Sequence, residues 1–370
     1  MWGPSRPAQV KSSGVFRPLW HTEVIRQLNR RLTAPFLTDK SHAGVSFLDD
    51  QRILVHEVDF NGQLSRRDGK DASGAFQLHV SLVDAESGAS LLTKDWQTGP
   101  SGTAVYVASG GVLLRTAETL RITSKQLNEI KQFPISSLDP GEGWEMRVSP
   151  TGRTVLFDHY VQEWSANAGR RNFSDFELID GEKFELREKW TEVPALHDDK
   201  LYSISDTAIV TDDHLHVPHI IASQFGSRRW ESIGEQPKKA CLRQAILAWI
   251  TNDSLVYGCE EFFVISQGKI VLLDRFDKRE ELIASKLSVT NDGKFVAISL
   301  HRLKGGFFDT ERSTASIDVF VYDIRQRKRV LTLNVTPLPR SNYGLALSPD
   351  GSKLAVLNDR YLTTYSVPAE

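Results

Sequence analysis

Residues Leu345 to Pro368 read LALSPDGSKLAVLNDRYLTTYSVP, which is two apolar alternating runs joined by Ser-Pro-Asp-Gly and followed by a third short run. Alternation with a period of two predicts β-strands that bury one face. Between the first two runs, Pro349 presets φ for a turn and Gly351 supplies the left-handed residue that a bulged hairpin needs. The stretch therefore predicts a β-hairpin followed by a third strand.

The same hairpin recurs along the chain. Ser149–Gly152 (Ser-Pro-Thr-Gly) and Thr290–Gly293 (Thr-Asn-Asp-Gly) also lie between apolar runs. A second element follows the hairpins, an apolar run that ends in an aspartate and a turn, as at Asp84 and Asp323, and then one more strand. Units of four short strands that repeat at roughly 40 to 55 residues are typical of a β-propeller.

The repeats divide most of the chain into blades. Their expected limits are 45–96, 103–135, 144–190, 200–235, 244–277 and 286–335, with a last blade from Tyr343. We predict an all-β propeller of seven four-stranded blades. Six or eight blades remain open, because the second and fourth units are weakly patterned.

The last unit has only three strands, so we expect the segment Val15–Trp20 to add the fourth and to close the ring. Residues 1–44 are accordingly predicted to form an N-terminal extension, and residues 45–370 the propeller. Within the extension, residues 20–34 place apolar side chains at helical spacing, which predicts a short amphipathic helix against one end of the ring.

The Ser-Pro-Asp-Gly hairpin with Val-Tyr-Asp and a turn resembles the WD40-like, TolB-like and YVTN-type propellers of bacteria. The resemblance spans about residues 45–368 as architecture and rests on a short turn motif. Tyr322-Asp323 and Val83-Asp84 stand where WD40 repeats carry Trp-Asp, and no Gly-His pair precedes the blades. The chain therefore resembles the lone-propeller proteins of bacteria rather than a eukaryotic-style scaffold.

Composition limits the possible partners and compartments. Lysine and arginine number 45 against 47 acidic residues, so no global field favours nucleic acid or an anionic membrane. No run of about 18 apolar residues predicts a membrane span, and the first 20 residues lack the apolar core of a signal peptide. We expect a cytoplasmic protein as the sequence is written, or a secreted or periplasmic one if the true start lies upstream of Met1; the compartment stays unknown.

One segment is dense in potential metal ligands. His214, His216 and His219 follow two aspartates, and on a strand His214 and His216 would point to one face. Two imidazoles at that spacing suit zinc or copper. The competing interpretation, polar residues at a blade edge, is favoured because no further ligand is tied to the three by a recognisable spacing.

No motif for catalysis is found. The chain has no nucleophile elbow, P-loop or dinucleotide fingerprint, and we predict no catalytic residue and no cofactor. By position alone, five charged residues near the ends of second strands could face the central channel: Glu57, Asp59, Asp158, His159 and His301. Trp164 and Trp230, with His301, are the candidate binding residues, since polar neighbours surround both tryptophans and exposed rings bind peptides or sugars.

Two functions fit these features. The first is a non-catalytic binding or scaffolding propeller, a monomer that recognises a protein or peptide through loops at one end of the ring. The alternative is a small-molecule enzyme or sensor, similar to lactonases or quinoproteins, that uses the central channel. Convergent ionisable groups in the channel would favour the second.

Overall fold

The fold is all β. A computed structural model describes residues 18–25, 43–63, 73–98, 103–116, 119–134, 142–165, 169–194, 202–213, 219–225, 231–235, 246–258, 261–276, 282–304, 313–339 and 343–368. Their strands form seven four-stranded antiparallel sheets, which we number as blades 1 to 7. The predicted all-β propeller is confirmed. Within these ranges no helix has the length and hydropathy to cross a membrane.

The strands of each blade follow one another along the chain, except in blade 7. Blade 1 contains β2 (Ala43–Asp49), β3 (Arg52–Gln63), β4 (Ser73–Asp84) and β5 (Ser90–Thr98). Blade 2 contains β6 (Ala104–Ala108), β7 (Gly111–Arg115), β8 (Thr119–Thr123) and β9 (Glu129–Pro134). Blade 3 contains β10 (Glu142–Val148), β11 (Thr154–Ser165), β12 (Gly169–Asp180) and β13 (Leu186–Pro194).

The remaining blades continue in the same order. Blade 4 contains β14 (Tyr202–Ile204), β15 (Ala208–Asp213), β16 (His219–Gln224) and β17 (Glu231–Glu235). Blade 5 contains β18 (Ile246–Thr251), β19 (Ser254–Gly258), β20 (Glu261–Ser266) and β21 (Lys269–Arg275). Blade 6 contains β22 (Leu282–Val289), β23 (Phe295–Lys304), β24 (Ser313–Asp323) and β25 (Lys328–Asn334). Blade 7 contains β26 (Tyr343–Leu347), β27 (Lys353–Asn358), β28 (Tyr361–Ser366) and β1 (Pro18–Glu23).

The first strands of the blades surround a central channel. Each of β2, β6, β10, β14, β18, β22 and β26 contacts the next, and β26 contacts β2, so the ring is closed. Blade 7 combines the two ends of the chain, because β1 pairs antiparallel with β28 from Trp20↔Thr364 to Glu23↔Tyr361. The Trp20 indole nitrogen also donates a hydrogen bond of 2.8 Å to the carbonyl of Ala85 in blade 1. The N-terminal strand therefore links the last blade to the first.

The helix predicted for residues 20–34 is wrong at its start. Residues 20–23 belong to β1, and residues 26–34 lie outside the described residues. Ile25 is buried against blades 1 and 7, so its apolar side chain serves sheet packing rather than a helical face. The division into a 1–44 extension and a 45–370 propeller stays a prediction.

Antiparallel order places the turns of each blade at two ends of the ring. The turns between first and second strands and between third and fourth strands lie at one end, which we call the lower end; the turns between second and third strands lie at the upper end. At the lower end Gly293 and Gly351 have φ of 67° and 75°. A Cβ atom on Gly351 would lie 2.4 Å from the Phe295 ring of blade 6, so each of these turns packs against its neighbouring blade.

The blades differ in height at the upper end. The second and third strands have 12 residues each in blades 1 and 3, and 10 and 11 in blade 6. In blade 2 the corresponding strands, β7 and β8, have only 5 residues each. Three tall hairpins therefore stand above the ring, and the short blade 2 lies between two of them.

Candidate functional site

A histidine is packed against the innermost strand of blade 1. His56 lies opposite Gly44, the second residue of innermost strand β2, and a Cβ atom on Gly44 would lie 2.4 Å from the imidazole. Burial, together with the positive charge of Lys286, lowers the pKa of His56 to about 4. The Nδ1 atom is buried without a hydrogen-bond partner. His56 is thus a neutral imidazole at physiological pH, and its position depends on a glycine.

A second imidazole lies on blade 6. The Nε2 atom of His301 is 2.8 Å from the Ser285 hydroxyl, and its ring meets the Tyr343 ring edge-on at 5.6 Å between centroids. Burial lowers the pKa of His301, and the charge of Lys286 adds to this effect. Lys286, on innermost strand β22, therefore acts electrostatically on imidazoles from blades 1 and 6, and we call the three residues the Lys286 cluster.

The lower mouth of the channel is polar and has a volume of about 340 Å³. Hydroxyl and amide side chains from the turns surround it, with one cation: Ser109, Ser149, Thr151, Ser288, Asn291 and Lys125. Ser149 and Thr151 each donate a 2.7 Å hydrogen bond to the carboxylate of Asp206 in blade 4. These groups hold neighbouring turns together, which is a structural role.

A cleft of about 500 Å³ lies between blades 2 and 3. Its walls are mainly apolar and belong to both blades: Leu120, Ile122 and Phe133 on one side, and Met146, Phe157, Ile179, Phe184 and Leu186 on the other. Met146 is 1% exposed, whereas Leu186 is 59% exposed. The cleft therefore runs from the buried core of the interface to solvent at the outer strands.

Charged side chains also line this cleft. Glu145 pairs with Arg147, and Glu177 pairs with Lys189 at 2.8 Å. Burial lowers the pKa of Arg115, while the Tyr106 hydroxyl and Glu145 oppose that shift. The ammonium of Lys131 lies 4.7 Å from the centre of the Phe133 ring. Both cleft-lining cations are thus held close to apolar surface.

The structure describes only part of the predicted binding set. His301 is placed as above, partly buried in blade 6. Trp164 lies in β11 opposite Arg170, but its side chain is not among those described, and Trp230 lies outside the described residues. The candidate recognition patch therefore stays a prediction for both tryptophans.

The predicted metal ligands also fall largely outside the described part. His214 and His216 lie outside it, and His219 begins β16 with its side chain undescribed. Elsewhere in the described ranges, no three His, Cys, Asp or Glu side chains are grouped as a metal site requires. The His214, His216 and His219 site is therefore untested.

The residues expected to face the channel lie on second strands, one strand away from it. Glu57 and Asp59 are in β3, and Asp158 and His159 are in β11. Asp158 is completely buried within blade 3. His301, on β23, belongs to the Lys286 cluster.

Sequence reasoning missed His56, Lys286, Arg115 and Lys131. Nothing in the local sequence distinguishes them from other polar residues on strands. The cleft has no local signal either, because it depends on which side chains of blades 2 and 3 meet between the sheets.

Comparisons with known proteins bear on the fold alone. The sequence matches no protein-family profile and no curated protein. Among solved structures, the WD40 domain of Neurospora crassa Pan2 is similar with a TM-score of 0.50 and 10% identity, over 96% of each chain. The C-terminal WD40 domain of Sif2 has a TM-score of 0.49 and 9% identity, over 96% of this chain and 99% of that one. The chain thus has a WD40-like propeller fold.

Proposed function

We propose that this chain is a non-catalytic binding or scaffolding propeller that recognises a protein or peptide partner at the upper end of the ring. The bacterial TolB-like or YVTN-type relationship and a monomeric state belong to the same proposal. One observation carries it: the tall hairpins of blades 1, 3 and 6 all project at this end. Loops held above a rigid ring are where such folds place recognition surfaces.

The two ends of the ring differ in how firmly their turns are held, as a supporting face and a recognition face would. At the lower end, turns are tied to neighbouring blades, for example by the Asp350 amide, which donates a 2.9 Å hydrogen bond to the Asp50 carboxylate. In sequence, the polar segments 64–72 and 305–312 connect the second and third strands of blades 1 and 6. Trp164, near the tip of β11, belongs to the same end.

The test compares variants of the two ends against one purified partner. A protein captured by the intact chain is purified, and its Kd is measured by interferometry. Replacing residues 305–312 by Asn-Gly, or Trp164→Ala, is expected to weaken binding at least tenfold. Inserting Gly-Ser after Gln267, in a lower-end turn, is the matched control and should leave the Kd unchanged. Loss of binding in the control alone would contradict the proposal.

A second candidate function, a small-molecule enzyme or sensor in the channel, is favoured by the cluster of His56, Lys286 and His301. NMR titration of the imidazole signals with acetate and with inorganic phosphate tests it. Saturable shifts of both imidazoles that disappear in Lys286→Gln would support it. Unshifted signals at millimolar anion would contradict it.

A further inference from the structure

We propose that Ser285 of blade 6 is a nucleophile that takes up an acyl group from a small carboxylic ester, with His301 as its general base. The inference deepens the second candidate function, the small-molecule enzyme, and rests on it. It starts from one contact, since the Ser285 hydroxyl oxygen lies 2.8 Å from the Nε2 atom of His301. A hydroxyl and a base within hydrogen-bond reach are the groups that nucleophilic acyl transfer requires.

An irregularity in strand pairing places the serine. The pairing of innermost strand β22 with β23 shifts register between Ala284 and Lys286, so Ser285 is the extra residue of a β-bulge. A bulge re-aims the side chain of its extra residue, and bulges are frequent beside active sites. Ser285 and His301 are both half-buried, so part of each stays open to a small molecule.

The hydrogen bonds around Ser285 give its proton a direction. The buried Ser299 hydroxyl accepts a 3.1 Å hydrogen bond from the Lys286 amide and lies 2.9 Å from the Ser285 hydroxyl. When Ser299 donates its own proton to Ser285, the Ser285 proton points to Nε2 of His301. The proposal therefore assigns His301 the tautomer that carries its proton on Nδ1 and accepts at Nε2.

The imidazole is suited to act as a base. Burial lowers the pKa of His301 below its ordinary value, and the charge of Lys286 adds to the effect, so the ring is neutral at physiological pH. The ring of Tyr343 meets it edge-on at 5.6 Å between centroids. This contact with blade 7 supports the orientation in which Nε2 faces Ser285.

The transfer step balances with the ester and these two side chains. The Ser285 oxygen forms a bond to the ester carbonyl carbon while its proton passes to Nε2 of His301. The bond from that carbon to the alcohol oxygen then breaks, and the imidazole returns the proton to the departing alkoxide. The products are an acyl-serine and an alcohol. A solvent water molecule, activated by the same imidazole, then releases the carboxylic acid.

The experiment uses p-nitrophenyl acetate as the acyl probe and phenylmethanesulfonyl fluoride as the serine probe, each mixed with the full chain at neutral pH. We expect a burst of about one equivalent of p-nitrophenolate per chain, and tandem mass spectrometry should locate both adducts on Ser285. Sulfonylation should be at least ~100-fold faster than that of N-acetylserinamide, because a general base contributes at least about that factor. No adduct, or adducts on other residues alone, would overturn the proposal.

Variants assign the roles. Ser285→Ala should abolish both adducts and His301→Gln should slow them at least tenfold, with Tm reporting that both variants are folded. Ser81→Ala removes a strand serine that bonds another hydroxyl, and this control should react like the unmodified chain. Thr363 is an internal control, since its hydroxyl lies 2.7 Å from His21 but the residue is only 9% exposed, so it should stay unlabelled. An unchanged rate in folded His301→Gln would overturn the assignment of the base.

The anion titration of the imidazole signals separates this inference from the second candidate function. Saturable shifts with acetate but no adduct on Ser285 would overturn the nucleophile alone. Absence of both the shifts and the adduct would overturn the second candidate function as well.

Discussion

Two interfaces between neighbouring blades have the same strand arrangement, but one is filled with side chains and the other contains an open cleft. Between blades 5 and 6, Phe262, Phe276, Phe320 and Tyr322 fill the space, and the Arg329 guanidinium stacks 4.4 Å from the centre of the Phe320 ring. Between blades 2 and 3, the corresponding region is the open cleft. One interface is packed with aromatic rings as far as Arg329 on its outer strand, and the other opens into a cleft at the outer strands.

Strand register identifies the positions responsible. In blade 6, Tyr322 pairs with Arg329 just after an irregularity, and Asp323 ends β24. In blade 3, Ile179 pairs with Leu186 at the same point, and Asp180 ends β12. Phe320, Tyr322 and Arg329 therefore correspond to Glu177, Ile179 and Leu186. Three side chains on one backbone frame decide whether an interface is filled or open.

The largest expected effect comes from opening the filled interface. Tyr322 is 1% exposed, and its hydroxyl donates a 2.7 Å hydrogen bond to Asp274, which also binds Arg329. Tyr322→Ile, which installs the blade 3 residue, should lower the free energy of unfolding by about 3 kcal/mol because it leaves a cavity and removes a buried hydrogen bond. Chemical denaturation measures the loss. The control Tyr361→Ile, at a 43% exposed position, should cost less than about 1 kcal/mol; equal losses would contradict the comparison.

The next effect concerns how the open interface is held together. At its lower end the Gly110 amide donates a 2.8 Å hydrogen bond to the Gly181 carbonyl, and a Cβ atom on Gly110 would lie 2.2 Å from the Glu182 carbonyl oxygen. Gly110→Ala should therefore destabilise the protein by about 2 kcal/mol. Gly268→Ala is the control, since a Cβ atom there would have no other atom within 4 Å. Its φ is 72°, so the substitution should cost only the backbone strain of about 1 kcal/mol. Thermal unfolding of both variants ranks the two costs, and a reversed ranking would refute this explanation.

The packing of His56 against Gly44 in blade 1 predicts a pH dependence. The pKa of His56 is about 4 in the folded chain, below the ordinary value of 6.5. Between pH 4 and pH 6.5 the imidazole is therefore protonated in the unfolded chain but neutral in the folded chain. Stability should therefore fall by about 2 kcal/mol as the pH drops from 6.5 to 4.5. In His56→Gln this part of the fall should disappear, as measured by urea unfolding at several pH values. A variant that keeps the full slope would show that His56 is not responsible.

The smallest effect is expected from filling the open interface. Ile179→Tyr installs the blade 6 residue beside the cleft and should change the free energy of unfolding by less than about 1 kcal/mol, in the stabilising direction, because apolar surface is buried where space already exists. Leu178→Tyr at the neighbouring buried position should instead destabilise by overpacking, since that side chain is 2% exposed. Denaturant midpoints of the two variants should move in opposite directions. A destabilising Ile179→Tyr would mean that the space is not available to a larger side chain.

Local features of the sequence predicted much of the fold. The Ser-Pro-Asp-Gly turn places Gly351 at positive φ, and the blade predicted at 103–135 spans Ala104–Pro134. These features depend on neighbouring residues, so they can be derived from alternation and turn chemistry. The start of the predicted helix failed because β-pairing with β28 overrides the helical spacing around Trp20.

The candidate sites could not be derived in the same way. The cleft joins Leu120 and Ile122 of blade 2 to Ile179 of blade 3, and its existence depends on what fills the space between sheets. The fit of His56 over Gly44 is likewise a cross-strand contact, which no spacing motif encodes. Function on this fold depends on such tertiary relations, whereas the repeat encodes the blades themselves.

Closure of the ring by β1 has a consequence for how the chain folds. His21 and Thr363, which share a 2.7 Å hydrogen bond in blade 7, are 342 positions apart in sequence. Among the described strand pairs this one closes the longest loop, and it waits until β28 has been synthesised. Until β1 and β28 have paired, both strands present open edges, and at high concentration the β1 of one chain competes to complete the last blade of another. We therefore expect misassembly of this fold to occur by domain swapping, in which two chains exchange β1.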